Sequence, residues 1–174
     1  MYGTRDLSAA DPAQRQATIG YMKNLVDMAA GLGAKVMTRG VREVALYAAE
    51  KNVRVAVEPL NQLETCLITN ASQALRLIDD ANVPNQGIAF DPFQMNIEEP
   101  DMIAALRRCS DKVFDFHLGD NNRLSPGDGN LDWPLIVETL REIGYKGGLA
   151  FEAMPLIDRT PNDGFGSQQM EPGR

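Results

Sequence analysis

Residues 88–96 read IAFDPFQMN: an apolar run that ends on a carboxylate, Asp91, with a proline directly behind it. A short apolar run closed by a turn signal predicts a buried strand, placed here at GIAFDP (87–92). Similar runs flank it. VRVAVEP (53–59), KVFDFHLG (112–119) and GGLAFEAM (147–154) read as strands, with a shorter candidate in AKVMT (34–38). Helical patterns fill the intervals, at 12–32, 41–52, 71–81, 100–111 and 132–144. Asp11–Pro12 is a good N-cap and first-turn pair, Asn70 and Asp132 are caps for two further helices, and Gly33 stops the first. Strand and helix alternate at intervals of roughly 25–35 residues, the rhythm of a parallel sheet with helical crossovers. The expected class is α/β with about five parallel strands.

The chain has 174 residues, enough for one domain with a sizeable core. The domain is expected over 1–155. Residues 156–174 are expected to form an irregular polar tail, because PLIDRTPNDGFGSQQMEPGR is rich in Gly, Pro and polar residues without an amphipathic period. A net charge of −7 argues against nucleic acid as a partner, since phosphate binding needs a basic face. No apolar stretch approaches the roughly 18 residues of a membrane span, and MYGTRDLSAADP has no signal-peptide core. Cys66 and Cys109 are isolated, without CxxC spacing, and read as thiols in a reducing compartment. A cytoplasmic protein without a membrane partner is expected. One histidine, His117, excludes any site that needs several imidazoles.

Four strand ends carry chemistry: Glu58 in VAVEP, Asp91 in IAFDP, His117 in FDFHLG and Glu152 in LAFEA. In parallel α/β folds the C-terminal strand ends share one side, so these four side chains can converge. Three converging carboxylates repel one another and resist desolvation. A divalent cation removes that penalty, and three carboxylates plus one imidazole suit Mn²⁺, Mg²⁺ or Co²⁺. Each residue alone has an ordinary reading, as a helix cap, a loop anchor or a core histidine. Repetition in four successive βα units is hard to attribute to capping. The loops behind these strands add Asn61 and Glu64, then Asp120, Asn122 and Arg123; the second reads equally as a plain solvated turn or, with its positive charge and amides, as a site for sugar hydroxyls.

Four segments, VEPLNQLET (57–65), FDPFQMNIEEPD (90–101), FHLGDNNRLSPGDGNLDW (116–133) and GLAFEAM (148–154), resemble in order the ketose 3-epimerases of the D-tagatose/D-psicose 3-epimerase type. That group sits in the xylose-isomerase-like TIM-barrel superfamily of sugar isomerases and epimerases, and the resemblance covers about residues 5–155. It implies a metal site of Glu58, Asp91, His117 and Glu152 holding one divalent cation, Mn²⁺ first, with Co²⁺ or Mg²⁺ as alternatives. It implies Glu58 and Glu152 as the acid/base pair, Glu64 and Arg123 as contacts to substrate hydroxyls, and position 94 on the same substrate side, where Asn61 of the loop after Glu58 is a further candidate. The reaction implied is removal of the C3 proton of a ketose, passage through a cis-enediolate, and return of a proton to the opposite face.

Two departures stand out. Where the group has a histidine in a DxFHMN pattern, this chain has Gln94, which hydrogen-bonds but does not titrate near neutral pH. Altered substrate choice or reduced activity is expected there, with the metal site untouched. The five strands also fall short of a closed barrel, which takes at least about 200 residues. The fold expected is a partial TIM-type barrel lacking its N-terminal strands, whose open edges suggest a homo-oligomer. The alternative function is a truncated, catalytically poor or inactive relative that retains metal or sugar binding. An abasic-site endonuclease shares the barrel but calls for several histidines and a basic groove, which this chain lacks.

Overall fold

The computed structural model describes residues 10–31, 36–38, 42–65 and 67–154. In chain order the elements are α1 (Pro12–Gly31), β1 (Val36–Thr38), α2 (Arg42–Glu50), β2 (Arg54–Val57), α3 (Ala71–Ala81), β3 (Gln86–Phe90), α4 (Pro92–Glu98), α5 (Met102–Cys109), β4 (Val113–Leu118), α6 (Trp133–Glu142) and β5 (Gly148–Phe151). The five strands form one sheet in the order β1-β2-β3-β4-β5, every pair parallel. The expected tail at 156–174 and Cys66 lie outside the described residues, as do the outer ends of the elements expected at 12–32, 34–38 and 41–52.

Helix starts follow local chemistry. Asn70, Asp101 and Asp132 each accept a hydrogen bond from a first-turn N–H, of Gln73, Ala104 and Leu135 respectively. α3 ends on Asn82 in the left-handed region at φ 49°, which asparagine tolerates better than most residues. α4 was not expected. Asp91 caps it and Pro92 begins it, the same pair that opens α1. The apolar content of 88–95 hides this seven-residue helix behind the strand that precedes it.

The sheet divides its side chains by alternation, interrupted once where β4 carries an extra residue, Phe114, between the pairs Ile88–Val113 and Ala89–Asp115. Ile88, Phe90 and Phe116 pack with Ile78 of α3, Leu106 and Cys109 of α5, and Trp133, Ile136 and Leu140 of α6. Val55 packs with Met22 and Val26 of α1 and with Val44, Ala45 and Ala48 of α2. On the other face Ala56, Ala89 and Phe114 make a small cluster of their own. Gly87 is required there: a Cβ would meet the Phe114 ring and lie 2.6 Å from the Lys112 carbonyl oxygen. Burial pushes the Cys109 thiol up to about 11, so this residue is an unreactive part of the core. No helix among the described residues is long and apolar enough to cross a membrane.

Phe116 is fully buried between the sheet and α6. Phe116→Ala is expected to cost about 3–5 kcal/mol, read as a lowered denaturant midpoint. A loss below about 1 kcal/mol would contradict this packing of the helical face.

Candidate metal centre

Glu58 follows β2, Asp91 follows β3, His117 is the next-to-last residue of β4 and Glu152 follows β5. Each offers one ligand atom, and these four atoms lie within 4.8 Å of one another. β2 and β5 are three strand spacings apart, roughly 14 Å in a flat sheet. Long side chains cover part of that gap and curl of the sheet covers the rest. The four residues therefore face inward at the mouth of a barrel sector.

The electrostatics of the cluster ask for more positive charge. Asp91 is 1% exposed. Its burial raises the carboxyl above the usual range, and nearby Glu152 adds to that, although Arg123 and the Phe93 N–H work the other way. Asp91 serves two roles at once. Oδ1 accepts from the Phe93 N–H at 3.0 Å and caps α4, while Oδ2 accepts from Arg123 Nη1 at 2.6 Å. The capping and site readings of this residue are both met.

His117 Nδ1 lies 2.5 Å from Glu152 Oε2 and 3.6 Å from Glu58 Oε1. Nδ1 and Oε2 are both buried, and neither is aligned with a hydrogen-bond partner. Two lone-pair-bearing atoms crowded at one point without a hydrogen bond are what a cation between them would satisfy. The donor set of three carboxylate oxygens and one imidazole nitrogen fits a hard to borderline divalent ion. The residues present thus fit a metal.

Arg123 brings the cation nearest to the cluster. Nη1 is 2.6 Å from Asp91 Oδ2 and 3.5 Å from Glu152 Oε1, and the guanidinium stacks 4.0 Å from the Phe93 ring centre. Its backbone is left-handed at φ 64°, a costly conformation for a residue with a side chain. Two hydrogen bonds hold it there: its N–H donates to the Asp120 carbonyl at 2.9 Å, and its carbonyl accepts from the Met154 N–H at 2.6 Å.

Asp120, expected as a polar group of the site loop, organises that loop instead. It is fully buried and accepts four hydrogen bonds, from the N–H groups of Asn121, Leu131 and Gly127 and from Trp133 Nε1. Burial works to raise its carboxyl, but these four donors outweigh it and hold the carboxyl below the usual range. Asn122 folds back on the loop, donating to the Asp128 carbonyl. Gly119 permits the close approach of β5, since a Cβ there would lie 2.6 Å from the Glu152 carbonyl oxygen.

Asn61, Glu64 and Gln94 meet one another in a hydrogen-bonded group. Gln94 and Asn61 are both 2% exposed. Gln94 Oε1 accepts from the Asn61 N–H at 2.8 Å and from Asn61 Nδ2 at 2.6 Å, and Gln94 Nε2 donates to Glu64 Oε1 at 3.2 Å. Asp115 is a residue that sequence reasoning missed. Its Oδ2 lies 3.8 Å from His117 Nε2, the ring nitrogen on the side away from the cluster. Its signal was available: it stands two residues before His117 on one strand, hence on the same face.

The profile of the family described as xylose isomerase-like TIM barrel matches residues 37–161. The chain belongs to that family. Among its relatives, the D-psicose 3-epimerase of Enterocloster bolteae is 37% identical over 122 residues, which is 70% of this chain and 40% of that relative. The ketose 3-epimerase of Arthrobacter globiformis is 32% identical over 132 residues, 76% of this chain and 46% of that relative. Among solved structures, the D-psicose 3-epimerase of Clostridium cellulolyticum with D-tagatose superposes with a TM-score of 0.83 at 26% identity, over 88% of this chain and 62% of that one. The chain thus spans less than half the length of these two curated relatives. The partial barrel expected from the strand count is the fold observed, a sector of the family's barrel.

Two outcomes test this family member's site. Mn²⁺ at a hundredfold excess over its Kd should add about 2.7 kcal/mol, a rise in Tm of roughly 5–10 °C. His117→Ala should abolish that shift, and Gly119→Ala, which displaces Glu152, should weaken Mn²⁺ by about tenfold or more. A shift that survives His117→Ala would remove the imidazole from the site. For Asp120, a carboxyl depressed by folding contributes stability above its unfolded value, near 3.8, and loses it as pH falls through the folded value. Asp120→Asn is expected to cost about 2–3 kcal/mol at neutral pH and to flatten the acid limb of a Tm–pH curve. An unchanged acid limb would contradict the assignment.

Proposed function

We propose that the chain is a divalent-metal-dependent epimerase or isomerase of a ketose sugar, acting at C3. The observation that carries this reading is the meeting of Glu58, Asp91, His117 and Glu152 within 4.8 Å. Relatives named D-psicose and ketose 3-epimerase support it. Glu58, Asp91, His117 and Glu152 would hold the cation, with Mn²⁺ the first choice and Co²⁺ or Mg²⁺ as alternatives. When bound, that ion supplies electrophilic stabilisation for negative charge on the ketose oxygens.

The rest of the chemistry falls to the chain. Glu58 and Glu152 stand at the two ends of the arc from β2 to β5, so they approach a sugar in the mouth from different sides. One removes the C3 proton, which leaves a cis-enediolate of the sugar, and the other returns a proton to the opposite face, inverting C3. Asp115 stands behind His117, its Oδ2 3.8 Å from Nε2. Arg123 and Glu64 contact substrate hydroxyls, with Gln94 and Asn61 beside them. No redox cofactor is required.

The unit we propose is a domain over 1–155, in a cytoplasmic protein. Leu149 and Phe151 on β5 are 57% and 65% exposed, which favours burial against a second copy in a homo-oligomer.

A second reading is a metal- and sugar-binding chain with little turnover. The buried Gln94, whose amide is committed to protein partners, favours it. One experiment separates the two. D-fructose or D-psicose is incubated with the chain and Mn²⁺ in D₂O, and deuterium at C3 is measured. The enzyme reading predicts incorporation that falls by about 10²–10⁴-fold in Glu152→Gln. Bound Mn²⁺ without incorporation overturns it and leaves the binding reading standing.

A further inference from the structure

The residue that departs from the family pattern sits in a network that the departure explains. α4 starts on the metal-site residue Asp91 and carries Gln94 and Glu98, four residues apart and so on one face. Both accept from the loop behind β2. Gln94 Oε1 takes the Asn61 N–H and Asn61 Nδ2, and Glu98 Oε1 takes the Gln62 N–H at 2.7 Å. Asn61 in turn shapes the loop: its carbonyl accepts from the N–H groups of Glu64 and Thr65, and its Oδ1 accepts from the Leu63 N–H. A glutamine at the third position of a helix commonly turns back to the cap N–H. Gln94 reaches across to the loop instead.

The network ends on one carboxylate oxygen. Glu64 Oε1 accepts from Asn61 Nδ2 at 3.0 Å and from Gln94 Nε2 at 3.2 Å. Glu64 is exposed, whereas Gln94 and Asn61 are 2% exposed. With Oε1 occupied, Oε2 is the oxygen on which Glu64 accepts a hydroxyl. We infer that Gln94 and Asn61 are positioning residues that hold Glu64 for a substrate hydroxyl, and do not themselves touch the sugar. This rests on the ketose reading of the site. It also gives the departure a physical reason. An amide oxygen accepts two hydrogen bonds while its NH₂ donates, whereas a neutral imidazole has one acceptor and one donor. Histidine at position 94 could not keep both Asn61 bonds and the Glu64 bond together.

The test measures D-fructose affinity by calorimetry at saturating Mn²⁺, and Mn²⁺ affinity alone, for the full chain. Gln94→Glu keeps the acceptor for both Asn61 donors, so the loop folds, but sets a carboxylate against Glu64. It is expected to weaken the ketose by about tenfold or more, the scale of one charge-assisted hydrogen bond, while Mn²⁺ affinity stays within about twofold. Glu64→Gln should weaken the ketose similarly, and Gln94→Ala in the Glu64→Gln background should add little, because the first acts through the second. Losses that multiply in the double variant mean that Gln94 meets the sugar itself, which overturns the inference. So does a Gln94→Glu chain that binds ketose as tightly as the unsubstituted one. An unsubstituted chain that binds Mn²⁺ but no ketose overturns the functional reading on which the inference stands.

Discussion

Three carboxylates and one imidazole crowd their ligand atoms within 4.8 Å of one another at the sheet mouth, around a buried Asp91. That arrangement is electrostatically unfavourable without a cation, and much of the surrounding structure serves to maintain it. Parallel strands bring the four ends to one side. Gly119 lets Glu152 close against β4. Asp120, buried under four hydrogen bonds, fixes the loop that carries Arg123. Arg123 then gives Asp91 and Glu152 a share of one positive charge, which offsets part of the repulsion and leaves the orphaned His117 Nδ1 and Glu152 Oε2 facing the same point.

Much of this was legible in the order of residues. A carboxylate or imidazole closing an apolar run, repeated at Glu58, Asp91, His117 and Glu152, carries both the strand positions and the shared side, because parallel connectivity leaves no freedom about which ends meet. The boundaries shifted by one or two residues where Pro59 and Pro92 remove donors and end the ladder early. α4 was hidden because Asp91–Pro92 was read as the close of a strand and not as the opening of a helix, although the Asp11–Pro12 pair upstream carried the same signal.

The polar contacts were not legible. Nothing local connects Asn61 to Gln94, which lie 33 residues apart; the parallel pairing of β2 with β3 sets the β2 loop beside α4, but which side chains meet there depends on loop conformation. Asp120 has the composition of a site residue and the position of a loop anchor, a distinction that depends on whether its lone pairs face protein N–H groups or solvent. Asp115 was overlooked because a carboxylate in mid-strand reads as an outward-facing residue until the inner face is known to be polar. The family's barrel supplies the frame, and the departures from it concern groups one step behind the ligands.

The central claim is that these four side chains form one divalent-cation site. Crystals grown with Mn²⁺ and measured at a wavelength where manganese scatters anomalously test it most directly. The account predicts a single strong anomalous peak in coordination contact with Glu58, Asp91, Glu152 and Nδ1 of His117. A peak elsewhere, a peak on Nε2 of His117, or none at all would contradict it.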